Sequence, residues 1–365
     1  MIGRNRAAYA AAIAAGLLLL GWAASTAIAR GGLIRFEFVE THMGSPFHLV
    51  LYTEDEASAR SSSAKAFARI AELDLALSDY NPESELMRLC GRAGGGPVSV
   101  SADLFDVLRR SLVFAECSDG AFDPTVAPVV RLWRRARRER KMPDPARLAE
   151  ARALVGWRDV VLDAKARTVT LRKPGMKLDL GGIAKGLASQ AAVDVLRREG
   201  VPIALCAGSG DIVVGDAPPG KAGWDIGLSP LEGDPTHPSH RVVLKNAAVS
   251  SSGDAEQFVV IDGRRYSHIV DPRTGLGVVD RCGVTVVAGD GATADGLDTA
   301  IFVMGPERGL ALAEEMTGAG ALVVRATPDG RKIWQSSRFD ALAPPSSDRE
   351  KRPSDANRAG PQDLR

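Results

Sequence analysis

The chain has 365 residues, with 46 Lys plus Arg against 45 Asp plus Glu. That balance, with aromatics at only 5%, excludes a protein built as an electrostatic or base-stacking platform for nucleic acid. Hydrophobic residues at 45% and the length itself suit one large or two ordinary globular domains with a real core.

Residues 1–29 read as an export signal. Arg4 and Arg6 give a positive start, Ala7 to Ala29 carries no charge, and Leu17 to Leu20 is the apolar centre. Ala27-Ile28-Ala29 is a small-residue cleavage pattern before Arg30. Left uncut, the same run is long enough to span a bilayer. The expectation is an exported, periplasmic protein, either free or tethered to the inner membrane through its N-terminus. Arg4-Asn5-Arg6 is not a twin-arginine pair, and no cysteine follows the apolar run to take a lipid.

The folded domain is expected over residues 34–338. Phe36 to Tyr52 predicts two strands around Met43-Gly44-Ser45-Pro46, with Phe47, Leu49 and Leu51 alternating. Ala57 to Leu77 has helical spacing and ends in the turn-rich Ser78-Asp79-Tyr80-Asn81-Pro82. Ser101 to Cys117 predicts a helix with Ser101 as cap and Asp103 in the first turn. It leads into Gly120-Ala121-Phe122-Asp123-Pro124-Thr125. The Arg-crowded stretch Arg131 to Lys141 reads as a solvated helix face, with an acidic partner or lipid head groups as the other reading. Val160 to Leu180 predicts antiparallel strands turning at Pro174-Gly175.

The centre of the pattern is Leu178 to Gly186, LDLGGIAKG. A short strand over Lys177 to Leu180 breaks at Gly181-Gly182, and a helix starts at Ala184. Leu187, Ala191 and Val195 form one apolar face of that helix, and Gly200 and Pro202 stop it. Strand, glycine turn and helix start point backbone N–H groups at an anion, and Lys185 adds a positive charge. Asp179 calls for a cation or a donor as partner. The plain reading is a βα connection with glycines for tight packing.

Strands follow at Ile203 to Cys206, Asp211 to Gly215, Val242 to Leu244, Phe258 to Ile261 and Val284 to Ala288. Gly208-Ser209-Gly210-Asp211 and Ser252-Gly253-Asp254 read as similar turns, and Tyr266 to Gly275 as a polar turn after a strand. Helices are predicted from Ala294 through Phe302 and from Ala311 to Met316. From Pro344 to Arg365 the composition is polar and aperiodic, which predicts a disordered tail. Cys90, Cys117, Cys206 and Cys282 match no zinc spacing, and one bridge is possible in an oxidising compartment.

Three further groups can carry chemistry. Asp295, Asp298 and Thr299, at offsets of three and four, share one helix face. Their oxygens suit a hard cation such as Mg²⁺, and the plain alternative is an acidic first turn complementing the helix dipole. His268, with Asp271 and Thr274 in a turn, can serve as acid or base near its ordinary pKa of about 6.5. Its alternative is a surface loop histidine. Gly120 to Thr125 with Met43 and Tyr80 can hold a flat heterocycle, against core packing plus a turn.

Together these blocks resemble the ApbE family, the FAD:protein FMN transferases, over roughly residues 34–335. The matching segments are Met43 to Phe47, GAFDPTVAPVVRLW from Gly120, LDLGGIAKG, AGSGDI from Ala207, SSGD from Ser251, YSHIVDPRTG, and ADGLDTAIFVMG from Ala294. The resemblance implies an α/β (α+β) fold of two interleaved subdomains with the site between them. It implies that FAD is split, that its FMN half moves to a Ser or Thr hydroxyl of an acceptor protein, and that AMP leaves. The acceptor so implied is a periplasm-facing redox subunit. Met43, Tyr80, Ala121, Phe122, Asp123, Asp179, Lys185 and Ile269 match flavin-nucleotide contacts. Asp295 and Thr299 match ligands of Mg²⁺, and Gly182 a residue whose carbonyl joins them. Asp298 stands where a small residue is common, as ligand or as orienting group, and His268 matches the proton acceptor. Ala255, Cys90 and Ser209 depart from the usual Tyr, Asn and Gly. Two other readings are an FAD pyrophosphatase, with water replacing the hydroxyl, and a non-catalytic flavin carrier.

Overall fold

The computed structural model describes residues 32–229, 231, 240–253 and 257–346. The expected signal and anchor, Asp254 and Ala255, and the tail beyond Ser346 lie outside the described residues.

Strands β1 (Ile34–His42) and β2 (Ser45–Thr53) turn at Met43-Gly44, both at positive φ. Helix α1 (Glu56–Leu77) follows, capped by Asp55, whose carboxylate accepts the Ser58 N–H at 2.8 Å. Short α2 (Glu85–Cys90) and β3 (Val98–Ser99) precede α3 (Ala102–Cys117), which starts at the expected Ser101 cap. Then come α4 (Ala127–Glu139), α5 (Pro145–Ala153), the hairpin of β4 (Val160–Asp163) and β5 (Thr168–Leu171), and α6 (Ala184–Arg198). The second half supplies β6 (Ala204–Gly208), β7 (Asp211–Val214), β8 (Trp224–Leu228), β9 (His240–Leu244) and β10 (Ala247–Gly253). It continues with β11 (Phe258–Ile261), β12 (Arg264–Ser267), β13 (Val270–Asp271), β14 (Leu276–Gly277) and β15 (Cys282–Ala288). Helices α7 (Gly291–Met304) and α8 (Pro306–Glu315), strands β16 (Gly320–Thr327) and β17 (Gly330–Gln335), and α9 (Phe339–Leu342) complete it.

The main sheet runs β1-β2-β6-β7-β10-β15-β16-β17. Every neighbouring pair in it is antiparallel, which makes the fold α+β. Both faces of its centre are covered, and accordingly every residue of β15 is buried and apolar, small or Thr. One face packs Leu49, Cys206, Val213 and Val286 against helices through Ile70, Ala188, Ala192 and Leu297. The other packs Val50, Val214, Val249 and Val287 against Trp224, Ile226 and Leu244 of the β8–β9 hairpin. A third cluster joins Val129, Trp133 and Ala136 of α4 to Val259, Ile261, Tyr266 and Val270. Trp133 anchors it, donating its indole N–H to the Gly275 carbonyl at 2.7 Å and lying 5.1 Å from the Tyr266 ring. This small lobe draws α4 and α5 from the first half of the chain and β11–β14 from the second.

Several expectations are corrected. The β4–β5 turn falls at Asp163 to Arg167, where the Asp163 carboxylate accepts the N–H of Lys165 and Ala166. Lys177 to Leu180 is extended but joins no ladder; Asp179 N–H goes to the Pro124 carbonyl at 2.8 Å and Leu178 N–H to Cys90 Sγ at 3.3 Å. The buried face of α6 is Ala188, Ser189, Ala192, Val193 and Leu196, while Leu187, Ala191 and Val195 are only half-buried. Ser251 to Gly253 is the end of a strand, not a turn. Pro344 and Ser346, placed in the tail by composition, hydrogen-bond to β9. All four cysteines are free thiols, three of them buried. Among the described residues no helix is long and apolar enough to cross a membrane.

Candidate active site

Helix α7 forms the floor of the site. It is buried nearly all round, from Gly291 and Ala292 through Leu297, Ala300 and Ile301. A helix so enclosed has no solvated face on which to place acids. Asp295 and Asp298 are nevertheless 3% and 0% exposed, so both carboxylates must be held by partners. Asp290 starts the helix by accepting the Thr293 N–H at 3.1 Å.

Helix α6 crosses α7 at Gly186 and Gly291. A Cβ on Gly186 would lie 2.1 Å from the Gly291 carbonyl oxygen and 2.7 Å from Asp295 Cβ. That closeness lets Asp295 accept the Gly186 N–H at 2.9 Å. The first-turn N–H expected to meet a substrate anion is therefore taken by a carboxylate of the protein itself. Lys185 leaves the same turn and pairs with Asp211 at the start of β7. Ser250 Oγ lies between Asp211 and Asp298 and, having one hydrogen, donates to one of them at a time. Asp298 meets Ser250 Oγ through one oxygen at 2.6 Å and accepts the Ser252 hydroxyl through the other at 2.9 Å. It does not border the cleft.

Three buried carboxylates thus surround one ammonium. Burial pushes the Asp295 carboxyl up to about 7, the Asp211 charge adds to the rise, and Lys185 opposes it. Burial and then Asp295 raise Asp298 well above the usual range. Burial disfavours the Lys185 ammonium, yet the charges of Asp211 and Asp295 hold its pKa above the ordinary lysine value.

The opposite wall comes from α4. Arg134 forks between Asp79 and Asp179, reaching Asp179 at 3.0 Å, with its guanidinium 4.3 Å from the Tyr80 ring centroid. The stretch read as a solvated face therefore turns two arginines, Arg134 and Arg137, into the cleft. Burial and the nearby Asp79 raise the Asp179 carboxyl, and Arg134 opposes them. Asp123 lines the cleft too, but accepts Thr125 N–H, Thr125 hydroxyl and Trp157 N–H, so it also fastens its own turn.

His268 closes the site from the small lobe. Its Nδ1 lies 3.1 Å from the Gln257 carbonyl oxygen, which can only accept, so Nδ1 carries the hydrogen. In the neutral imidazole Nε2 is then the free base. Burial lowers the His268 pKa to about 4; the Gln257 bond opposes this, and the positive charges of Arg137 and Lys185 add to it. An ordinary histidine pKa was expected, and the correction follows from enclosure between two cations.

The cleft, about 460 Å³, is bordered by Tyr80, Ala121, Phe122, Asp123, Asp179, Gly182, Lys185, His268, Ile269, Asp295 and Thr299. All of these were singled out in the sequence. Met43 does not border it; its N–H instead goes to Asp74 at 2.7 Å, and Ser45 reaches the cleft. The sequence reading passed over Arg134, Arg137, Asp211, Ser250 and Gln257. For Asp211 one signal was present: an acid directly after the Gly-Ser-Gly turn, opening an otherwise apolar strand. Ser209 holds that turn at φ 60, a conformation glycine adopts more readily.

Among the described residues no three His, Cys, Asp or Glu side chains group as a ready metal cage. The oxygen groups that border the cleft here are mixed in kind. A Cβ on Gly182 would lie 2.9 Å from Thr299 Oγ1, so that backbone and hydroxyl abut, and Asp295 borders the same cleft. Carboxylate, hydroxyl and carbonyl oxygens beside an excess of buried negative charge fit a hard divalent cation.

A model of the ApbE family matches residues 43–323. The FAD:protein FMN transferase of Treponema pallidum is 34% identical over 289 residues, which cover 75% of this chain and 79% of its own. That of Klebsiella pneumoniae is 32% identical over 289 residues, 79% of this chain and 88% of its own. Among solved structures, the flavin transferase ApbE from Vibrio cholerae aligns with a TM-score of 0.76 at 27% identity, over 85% of this chain and 99% of its own. With sequence and fold in agreement, the chain belongs to the ApbE family.

Proposed function

We propose that this cleft moves the FMN half of FAD onto a serine or threonine hydroxyl of a second protein and releases AMP. The observation that carries the reading is His268, its Nδ1 hydrogen held by the Gln257 carbonyl so that Nε2 is free, in the same cleft as Lys185 and the oxygen donors of α7. A purely carrying site has no need of both in one place, whereas a water-activating site would use the same pair, so transfer and hydrolysis are separated by acceptor dependence.

The acceptor hydroxyl loses its proton to Nε2 as its oxygen bonds to the flavin-side phosphorus. The bond from that phosphorus to the bridging oxygen breaks, and AMP departs with the electron pair. Lys185 sits where it can neutralise charge moving onto the leaving phosphate. Asp295, Thr299 and the Gly182 carbonyl would hold Mg²⁺, which supplies charge neutralisation at the pyrophosphate. Asp298, with both oxygens engaged by serines, orients that layer. Tyr80 and Phe122 offer apolar ring surface for the flavin nucleotide. With an export signal at the N-terminus, the acceptor is a periplasm-facing redox subunit.

The test is incubation of the purified protein with FAD and Mg²⁺, with and without such an acceptor. AMP should appear only with the acceptor, in amount equal to an acceptor mass gain of one FMN less one water, and chelation should stop both. AMP and free FMN in the absence of acceptor would instead make the protein a pyrophosphatase.

A further inference from the structure

Arg134 and Arg137 lie one turn apart on α4, and both border the cleft. Their surroundings differ. Arg134 is neutralised by Asp79 and Asp179. Arg137 gives one N–H to Gln257 Oε1 at 3.1 Å and has no carboxylate within ion-pair distance among the described residues. A guanidinium carries five N–H donors, so most of those of Arg137 remain for something else. Half-buried, it has lost part of its hydration and has no counter-charge among the described residues, an arrangement that favours an arriving anion.

Its position relative to the base is fixed by Gln257. The side chain of Gln257 accepts from Arg137, and its backbone carbonyl accepts from His268. Arg137 and His268 are thus held by one residue, with Lys185 the other charged group acting on the imidazole. An anion bound by Arg137 within this cleft shares it with the imidazole of His268.

We propose that Arg137 binds the flavin-side phosphate of FAD and positions its phosphorus for attack by the hydroxyl that His268 deprotonates. This rests on the transfer reading above. The role differs from that of Lys185, which lies on the α6 side and is paired with Asp211. A planar fork can fix the orientation of a phosphate, which a point charge cannot.

The experiment compares wild type, Arg137→Ala and Arg137→Lys by titration with FAD and with riboflavin in Mg²⁺ buffer, read by flavin fluorescence. Loss of a charged hydrogen bond to phosphate should weaken FAD binding roughly ten- to a hundredfold in the alanine variant. Riboflavin, which lacks phosphate, should bind as in wild type, and lysine should restore part of the FAD loss. The acid limb of FAD-dependent AMP release should also move to higher pH in Arg137→Ala, because a charge that keeps the imidazole unprotonated is gone. Equal losses for FAD and riboflavin would make Arg137 merely structural and overturn the proposal. Unchanged FAD binding with a raised KM for the acceptor alone would assign it to the acceptor instead, and would overturn it too. Wild-type protein that binds FAD but forms no AMP and labels nothing would sink the transfer reading, while the FAD-against-riboflavin comparison still decides Arg137.

Discussion

Asp295 is the residue on which most of the site's electrostatics converge. It accepts the Gly186 N–H, borders the cleft and shares its charge cluster with Asp211, Asp298 and Lys185. Asp295→Asn keeps an oxygen for Gly186 and removes the charge. It should fold with a near-normal melting temperature and lose at least a hundredfold in AMP release at saturating FAD, since a charged donor to the cation is gone. Asp298→Asn, one step behind the cleft, should lose roughly ten- to a hundredfold. Equal and complete losses in both variants would give Asp298 a direct contact with the cation. The pH profile is a second residue-scale outcome. With the His268 pKa near 4, wild-type transfer measured at saturating Mg²⁺, which keeps the Asp295 carboxyl ionised, should hold level as pH falls from 7 to about 5 and drop only toward 4. An ordinary histidine would halve it near pH 6.5. Between those two values the unfolded chain's imidazole takes up a proton that the folded one refuses, so stability also declines as pH falls through that window. Lys185 was legible from the glycine turn at its helix start, His268 from its polar turn after a strand, and Asp295 and Thr299 from their shared helix face. Arg134 and Arg137 were not, because a run of arginines looks the same whether it faces water or two acids distant in sequence.

At the scale of elements, the α6–α7 crossing positions the site. Gly186 and Gly291 let two helices touch backbone to backbone, and the nearest atom a Cβ would meet at each is a main-chain carbonyl oxygen that cannot swing aside. Gly186→Ala should therefore cost about 3 kcal/mol or more and lower the urea midpoint without changing the slope. Activity should fall further than stability, because the same displacement moves Asp295. A midpoint within error of wild type would show that the crossing is looser than the structure has it. The sequence pattern placed both helices but misjudged their neighbours. Leu187, Ala191 and Val195 share a helix face by spacing, yet close packing turns inward the face of Ala188, Ser189, Ala192, Val193 and Leu196. Strand β10 was missed because Ser-Ser-Gly-Asp carries turn composition. Its serines instead hold Asp211, at the start of β7, and Asp298 of α7.

Across the whole molecule, the cleft exists because chain segments far apart in sequence meet. The sheet and α6–α7 bring Lys185, Asp211, Asp295 and Thr299, while the small lobe of α4, α5 and β11–β14 brings Arg134, Arg137 and His268. The α+β class and the order of blocks could be read from the sequence. The arrangement of the lobe around Trp133 could not, since its partners are Gly275 and Tyr266, more than a hundred residues later. This division makes binding and proton transfer separable, because the base stands on one part and the acidic layer on the other. The most direct measurement is the intact mass of the acceptor protein after incubation with FAD, Mg²⁺ and either wild type or His268→Ala, with FAD binding followed in parallel by flavin fluorescence. The account predicts that the variant binds FAD normally and labels the acceptor at least a hundredfold more slowly than wild type at pH 7. Labelling by His268→Ala at the wild-type rate would contradict it.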